Sequence, residues 1–377
     1  MKIAYILPIN TGKYDGVLNK VCSQVEAWQV LNVQTIVFLI IKEKNSDLQN
    51  SSLSPLVDKN LVKVYKEQSF NIVSFDLLKD WFGLLSVYNK VLNEVENFKP
   101  DVVYTRNTLY QPFYKRLGEK FNLVLEINTD IKSEYKLQAF QSLKYFFRYV
   151  YFLFTNKKYL KNVSGIASVT DELSKLYKQS QVGIFANSIN VDAYQTFYNM
   201  PLPKHKLLFL GSPDMPWQGV DILLLLANKM SYVEFYIVGY DKEDFKNIPN
   251  NVTFCGFLNK TKYLKLIQQA TALIGTMALF RKNMEEACPL KVREYLACCK
   301  PVILPYKDTA FEQKGYPEWV LKLPNSKEGI LNSSQEIKNF LNKCYGFNIT
   351  KEDVKPYVHV DVIEKERIDF LYSVARI

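Results

Sequence analysis

The sequence predicts an α/β protein made of two parallel-sheet domains, and three observations support this prediction. The chain has 377 residues, 48% of them hydrophobic, which is enough for two ordinary domains with large cores. Short runs of Val, Ile and Leu lack polar alternation, which is typical of strands buried on both faces. Segments with helical periodicity separate these runs. The alternation therefore predicts two Rossmann-like domains in tandem.

In the N-terminal half, apolar runs alternate with helical segments from the first residues onward. The predicted strands are residues 2–7, 35–41, 61–65, 102–104, 123–127, 165–169 and 182–185. The predicted helices are residues 17–30, 84–98, 110–121 and 171–178. A polar stretch with two prolines, residues 194–205, then has the composition of a linker.

The C-terminal half repeats the α/β pattern. The predicted strands are residues 206–210, 233–238, 252–255, 272–275 and 302–304, and the predicted helices are residues 220–229, 261–270 and 290–297. Residues 361–377 have apolar side chains at helical spacing and are predicted as a closing helix. We therefore expect domains at residues 1–190 and 191–360, with the last helix packing back on the first domain.

Charge and composition narrow the function classes. The net charge of +10 suits an acidic partner such as a phosphate, a nucleotide, an anionic lipid or a nucleic acid. No basic run, zinc pattern or RNA-binding sequence accompanies it, so no nucleic acid is expected. Two histidines cannot readily supply a zinc site or a Ser-His-Asp set, and six scattered cysteines suggest reduced thiols. With no secretion signal and no long apolar span evident, we expect a cytoplasmic protein.

The most informative stretch is residues 285–304. Pro289 suits the first turn of a helix, and the loop before this helix follows the strand predicted at 272–275. In open α/β sheets, ligands bind at the carboxyl ends of strands, and a helix N-terminus there favours phosphate. Lys291 and Arg293 add positive charge, while the carboxylate of Glu294 can accept two hydroxyl hydrogen bonds from a ribose. The alternative is that these glutamates are ordinary solvated acids.

Glu286 and Glu294 are separated by seven residues. This spacing resembles the Glu-x7-Glu motif of retaining glycosyltransferases with the GT-B fold, specifically family 4. The run from Pro289 to Ala297 is similar to that of bacterial surface-polysaccharide members. The resemblance extends over nearly the whole chain, and residues 208–221 are similar to the first strand and phosphate loop of the family's second domain.

The resemblance implies an enzyme that moves a sugar from a nucleoside-diphosphate sugar to a hydroxyl of a glycan or lipid-linked acceptor, in bacterial envelope polysaccharide synthesis. Its N-terminal acceptor domain and C-terminal donor domain would face a cleft. Glu294 would hold the donor ribose and Glu286 would contact the transferred sugar as a catalytic residue. No metal or other cofactor is implied. Further donor contacts are implied for Pro289, Leu290, Lys291, Gly211, Gln218 and, in an N-terminal glycine loop, Gly16.

The sequence departs from the family at the diphosphate. Members usually carry an Arg and a Lys in the phosphate loop, where this chain has Ser212 and Gln218. Neutralisation of the diphosphate is then expected from Lys291, Arg293 or Arg281. An N-domain loop that commonly carries His has Asn128 here, which is assigned a catalytic position. Three alternatives stay open: a nucleotide-sugar 2-epimerase, a glycogen-type phosphorylase and an inactive binding relative.

Residues 143–161 combine aromatic side chains with basic ones. Such a composition is typical of a helix that lies on a membrane surface. Lys144, Arg148, Lys157, Lys158 and Lys161 are then expected to dock on anionic lipid at the inner face of the plasma membrane. The alternative is an ordinary domain helix whose aromatic residues fill the core.

Overall fold

A computed structural model describes residues 1–9, 15–41, 51–67, 76–140, 142–178, 181–213 and 215–375. The chain divides into two compact units. The first comprises Met1–Ala186 and Ile363–Ile377, and the second comprises Asn187–Val362. Each unit is built around its own parallel β-sheet with helices beside it. The two α/β domains predicted by the alternating apolar runs are therefore confirmed.

The first unit contains a seven-stranded parallel sheet of order β3-β2-β1-β4-β5-β6-β7. Its strands are β1 (Lys2–Pro8), β2 (Gln34–Ile41), β3 (Val62–Lys66), β4 (Val102–Arg106), β5 (Leu123–Ile127), β6 (Gly165–Ser168) and β7 (Val182–Ile184). Its helices are α1 (Asp15–Val30), α2 (Ser54–Asp58), α3 (Asp76–Phe98), α4 (Pro112–Lys120), α5 (Ile131–Ala139), α6 (Leu143–Leu160) and α7 (Asp171–Ser174). The central strands are buried on both faces, as their apolar runs require.

The second unit contains a six-stranded parallel sheet of order β10-β9-β8-β11-β13-β15 and a separate pair, β12-β14. Its strands are β8 (Lys206–Leu210), β9 (Glu234–Val238), β10 (Val252–Phe254), β11 (Ala272–Ile274), β12 (Glu286–Ala287), β13 (Val302–Leu304), β14 (Lys307–Asp308) and β15 (Val320–Lys322). Its helices are α8 (Val220–Lys229), α9 (Lys260–Gln269), α10 (Leu290–Ala297), α11 (Thr309–Glu312), α12 (Lys327–Asn332), α13 (Ser334–Lys343) and α14 (Lys351–Val358). The last helix, α15 (Val360–Ala375), begins here and contributes to the first unit from Ile363 onward.

The predicted elements agree with the structure most closely where a long apolar pattern is bounded clearly. β5, β8, β13, α8 and α10 begin and end at the predicted residues. The edge strand β15 and the two-residue strands β12 and β14 were not predicted, because such short segments carry too little periodicity. α3 also begins earlier than predicted, at Asp76.

The polar stretch 194–205, predicted as a linker, belongs to the second unit. Asn199 fastens it by donating from its side-chain nitrogen to the carbonyl oxygens of Thr271 at 2.8 Å and Cys344 at 3.1 Å. The backbone of Phe197 also bonds to Cys298. The change of unit therefore comes earlier, between Ala186 and Asn187.

Helix α6 leaves three of its eight aromatic side chains, Phe146, Phe147 and Phe154, exposed. Its buried residues are Phe152 and Tyr159, whereas Phe154 is 77% exposed. Other exposed large apolar residues on α6 are Leu143, Phe146, Phe147 and Leu153. The interpretation that the aromatic residues of α6 fill the core is therefore confirmed for Phe152 and Tyr159 and wrong for the three exposed ones. None of the helices in the described part of the chain is long and apolar enough to cross a membrane.

Candidate functional site

The loop between β12 and α10 lies at the carboxyl end of the second sheet. Pro289 is the N-cap of α10 and is extended, with φ −71° and ψ 139°. The first backbone bond of this helix runs from Val292 N to the Pro289 carbonyl oxygen at 3.2 Å. The N–H groups of Leu290 and Lys291 precede that bond, where helical N–H groups are open to a ligand. The helix dipole adds positive potential at this position.

Lys291 carries a partly buried ammonium group beside this helix start. Its Nζ donates to the Leu210 carbonyl oxygen at 2.8 Å and to Gln218 Oε1 at 2.8 Å. It also lies 3.8 Å from the centre of the Phe209 ring. No ion pair with a carboxylate is found for Lys291 among the described residues. Burial holds the pKa of Lys291 well below its usual value, and an anion bound beside the side chain would favour its charged form.

The loop after β8 approaches the same point. The hydroxyl of Tyr240 donates to the Ser212 carbonyl oxygen at 2.6 Å and closes the loop. A Cβ on Gly211 would lie 2.4 Å from the Tyr240 ring, so only glycine fits there. Gly219, the N-cap of α8, has φ +72°, where a side chain would be strained. The structure therefore brings Gly211, Gln218 and Lys291 together.

Glu294 lies one turn into α10 and is 16% exposed. Its carboxylate accepts from the Tyr194 hydroxyl at 3.0 Å and from the Tyr263 hydroxyl at 3.2 Å. Lys260 Nζ lies 4.0 Å from the same carboxylate and donates to Tyr194 at 2.9 Å. Glu294 is therefore an oriented acceptor and not a freely solvated acid. Sequence reasoning missed these three partners because they lie far from the motif.

The expectation that Arg293 faces a diphosphate is wrong. Its side chain is fully buried and donates to Asp308 and to Cys288 Sγ. Burial alone would lower the pKa of Arg293, but the nearby Asp308 carboxylate raises it. Because Asp308 lies on β14, this pair holds α10 against the β12-β14 strand pair.

Arg281 is also occupied by a carboxylate. Its two terminal nitrogens donate to Asp221 at 3.0 and 2.6 Å, and one of them also donates to the Pro216 carbonyl oxygen at 2.7 Å. Arg281 therefore anchors the turn Pro216–Gln218 to the start of α8. Arg281 and Arg293 are thus both paired with carboxylates. Lys291, the third cation considered for the diphosphate, lies at the loop after β8, and no carboxylate partner is found for it among the described residues.

Glu286 lies on β12, which pairs in parallel with β14 so that Glu286 is opposite Lys307. Its side chain is partly buried. The strand pair sets the position of Glu286 relative to the start of α10, three residues beyond Ala287. Gly16 is the second residue of α1 and is exposed, while residues 10–14 of the glycine loop lie outside the described residues.

In the first unit, the partly buried Asn128 borders a buried polar cluster. Its side-chain nitrogen donates to Glu126 Oε2 at 3.1 Å, and its oxygen accepts from Lys20 Nζ at 3.2 Å. Lys20 Nζ lies 2.5 Å from Glu126 Oε1. Burial by itself would raise the pKa of Glu126, but Lys20, Arg367 and Arg106 outweigh it and lower this pKa to about 2. The amide of Asn128 is therefore fixed from both ends.

The cluster extends to α15. Arg367 lies 3.6 Å from Glu126 and donates to Glu364 at 2.9 Å. Glu364 also accepts from the indole nitrogen of Trp28 at 2.9 Å. Sequence reasoning missed this cluster, although a carboxylate inside the apolar strand β5 was a usable signal, since a buried acid needs partners.

Other parts of the described chain do not compete as donor sites. A 540 Å³ hollow in the second unit is lined by Lys204, Glu234 and Asn251. These residues lie at the amino ends of strands, away from the usual ligand edge. Among the described residues, no three His, Cys, Asp or Glu side chains come together as a metal-ligand set.

Comparisons with known proteins concern the fold and the second unit. Residues 204–341 match the family model for group 1 glycosyl transferases. The sucrose-phosphate synthase of Thermosynechococcus elongatus is similar in structure, with a TM-score of 0.70 at 16% identity over 99% of this chain and 98% of that one. A lipopolysaccharide outer core galactosyltransferase has a TM-score of 0.63 at 11% identity over 99% of both chains. No significant match to a curated protein sequence was found.

The UDP-GlcNAc 2-epimerase of Neisseria meningitidis is also similar, with a TM-score of 0.52 at 11% identity over 99% of this chain and 100% of that one. At such identities, the likenesses establish the fold, which is GT-B. The fold alone does not separate a transferase from an epimerase. The match of residues 204–341 to the glycosyl transferase model, taken with the fold, supports a glycosyltransferase.

Proposed function

We propose that this enzyme is a retaining, family 4 glycosyltransferase that uses a nucleoside-diphosphate sugar. The observation that carries the proposal is Lys291, whose partly buried ammonium lies at the N-terminus of α10 beside the loop after β8. A diphosphate at that point gains the helix dipole, the first helical N–H groups and one cation. This arrangement supports donor binding without the Arg and Lys that the resemblance places in the phosphate loop.

In the proposed reaction, the bond between the sugar and the diphosphate breaks while an acceptor hydroxyl forms the new glycosidic bond on the same face. The electron pair of the broken bond stays on the phosphate oxygen. That oxygen takes the proton of the incoming hydroxyl, so that atoms and charge balance. Lys291 and the N–H groups of Leu290 and Lys291 stabilise the growing negative charge without having to reorganise. No glycosidase-type pair of carboxylates is needed.

The glutamates and Asn128 have separate proposed roles. Glu294, held by Tyr194 and Tyr263, accepts hydrogen bonds from the donor ribose, and the tyrosine hydroxyls move aside or share the carboxylate. Glu286 contacts the transferred sugar. Asn128 presents a fixed amide to the reacting sugars, with its orientation set by Lys20 and Glu126.

Transfer is proposed to require no divalent metal. The leaving diphosphate needs positive potential, which Lys291 and the start of α10 supply in the second unit. The nucleotide base, the sugar and the linkage are not specified by these contacts.

The acceptor is proposed to be a glycan on a lipid carrier, reached by docking at the cytoplasmic face of an anionic membrane. The exposed apolar residues of α6 are joined by Phe82 and Leu85 of α3, which are 40% and 47% exposed. Lys144, Lys157 and Lys158 are exposed on α6, and Lys161 follows it. Apolar side chains among lysines match an anionic lipid surface in both polarity and charge. Bacterial envelope polysaccharide synthesis would supply such an acceptor.

The deciding experiment is the release of nucleoside diphosphate from nucleotide sugars when a glycan acceptor is added. We expect release to depend on the acceptor, and the product anomeric proton in NMR to show the donor's configuration. An inverted product would contradict retention. Conversion of the nucleotide sugar itself without any acceptor would favour an epimerase. Nucleotide binding without turnover over a broad acceptor panel would favour an inactive binding relative.

A further inference from the structure

A pocket of about 400 Å³ lies wholly within the first unit. It opens where β1, β4 and β5 end, because its lining includes Ile9, the segment from Arg106 to Gln111, and Thr129. Ligands of open α/β sheets bind at this edge, and the volume is within the range of roughly 300–1,000 Å³ common for small-molecule sites. We call it the Trp81 pocket. None of the proposed donor-binding contacts reaches it.

One wall of the Trp81 pocket is aromatic and held rigidly. The indole nitrogen of Trp81 donates to the Tyr151 hydroxyl at 2.9 Å, and that hydroxyl donates to the Tyr110 carbonyl oxygen at 2.8 Å. This chain of hydrogen bonds ties α3, α6 and the β4–α4 loop together. Ring faces fixed in this way can pack against the C–H face of a sugar ring with little ordering cost. Beneath them, Leu109, Ile131 and Phe152 form an apolar cluster.

The remaining lining is polar and balanced in charge. Arg106 and Arg148 are matched by Glu67 and Glu134. Glu134 accepts from the Thr129 hydroxyl. A site for a free phosphate would have an excess of cations, whereas carboxylates and guanidinium groups side by side suit the donor and acceptor faces of hydroxyl groups.

Two amides add directional hydrogen bonding. The side-chain nitrogen of Asn107 donates to the Tyr177 hydroxyl at 3.0 Å, and this bond sets the orientation of the Asn107 amide. The side-chain oxygen of Gln111 accepts from the Tyr88 hydroxyl at 2.7 Å. The side-chain oxygen of Asn107 and the side-chain NH₂ group of Gln111 can therefore form hydrogen bonds with a ligand. Both residues line the pocket.

We propose that the Trp81 pocket binds the terminal, uncharged sugar residue of the acceptor glycan. This inference rests on the proposed transferase function and deepens it by naming the acceptor's chemical class and site. Thr129, which lines the pocket, directly follows Asn128 in the chain, so a bound sugar lies near the proposed catalytic amide. Helices α3 and α6 line the pocket and also carry the exposed apolar residues. A sugar on a lipid would therefore meet both features in one unit.

The test is saturation-transfer NMR on the full chain with a panel of methyl pyranosides, and inorganic phosphate as competitor. We expect one or more pyranosides to bind and phosphate not to displace them. Trp81→Ala should weaken that binding about tenfold or more, since it removes a stacking face and the bond that orders Tyr151. Tyr151→Phe should weaken it less, because the ring remains. Tyr149→Phe removes a hydroxyl from the same helix outside the pocket lining and should bind as the unaltered protein does.

Each contrary result is informative. If no pyranoside binds while nucleoside diphosphate does, the pocket assignment is wrong and the transferase proposal stands. If nucleoside diphosphate also fails to bind, the transferase proposal itself is in error. Displacement by phosphate would show an anion site instead.

Equal binding by Trp81→Ala, Tyr151→Phe and the unaltered protein would place the sugar elsewhere. A loss in Tyr149→Phe as large as in the pocket variants would show a general disturbance of α6. With a working acceptor, the pocket variants should raise its KM and leave the donor KM unchanged.

Discussion

Lys291 Nζ lies 2.8 Å from Gln218 Oε1, so a residue of α10 brings its ammonium group to the loop between β8 and α8. The resemblance places a lysine in that loop itself, where this chain has Gln218. In this chain a positive charge reaches that loop from α10. Gln218 fixes the ammonium in place, which a neutral hydrogen-bond acceptor can do without cancelling the charge.

Nucleoside diphosphate binding should weaken as the pH rises through the pKa of Lys291. Burial lowers this pKa well below that of an ordinary lysine, and the charged form is the one that attracts the diphosphate. The loss is therefore expected at a lower pH than for a solvated lysine. Lys291→Arg should flatten the pH dependence because guanidinium stays charged. Calorimetric titration over neutral to alkaline pH measures this, with Lys265→Arg as the control. A flat profile in the unaltered protein would exclude Lys291 from the site.

Glu294→Ala should remove most of the nucleotide affinity. A hydrogen bond to a charged group is worth roughly 1.5–3 kcal/mol, so two lost ribose bonds imply about a hundredfold weaker binding or more. Calorimetry with a nucleoside diphosphate measures the change. Glu234→Ala, which removes a carboxylate at the opposite edge of the same sheet, is the matched control. Unchanged affinity in a folded Glu294→Ala variant would refute the ribose role.

Glu286→Ala should lower turnover far more than it lowers nucleoside diphosphate affinity. The reason is that Glu286 is proposed to touch the transferred sugar, which the free diphosphate lacks. The comparison requires kcat from acceptor-dependent transfer and Kd from titration of the same preparation. Should the Glu286 and Glu294 variants lose diphosphate affinity equally, the two roles have been assigned wrongly.

Sugar transfer should continue in the presence of EDTA. The positive potential at the diphosphate is proposed to come from Lys291 and the start of α10, and neither depends on a metal ion. The measurement is the initial rate of nucleoside diphosphate release with and without chelator. A rate lost in EDTA and restored by Mn²⁺ or Mg²⁺ contradicts the proposal.

Replacing Lys157, Lys158 and Lys161 by Glu should abolish binding to anionic vesicles. Each basic residue near an anionic leaflet contributes about 1 kcal/mol, so removing three charges costs about a hundredfold in partitioning, and reversing them costs more. Co-sedimentation with vesicles that contain or lack anionic lipid measures this. Lys242, Lys246 and Lys262, changed to Glu together, make the same charge change on the second unit. Equal binding to both vesicle types would exclude electrostatic docking.

The local sequence pattern was sufficient to predict strands and helices whose burial follows a regular spacing. The apolar run of β5 and the periodicity of α8 and α10 determined these elements to the residue, because burial on both faces or on one stripe has a fixed spacing. The same stretch placed Pro289, Leu290 and Lys291 at a helix start. The spacing of the motif also predicted the donor chemistry from the sequence alone.

Side-chain pairing was decided only by the tertiary structure. Arg293 and Lys291 are both cations on α10, yet one is buried against Asp308 and the other reaches Gln218. Their spacing on the helix does not reveal this difference. The orientation of α10 and the partners of its side chains are set by packing against other segments of the chain. Glu126 likewise meets Lys20, 106 residues away, and Arg367 of α15. Periodicity therefore fixed which elements form, whereas packing between distant segments fixed which charges are neutralised and which stay available to a ligand.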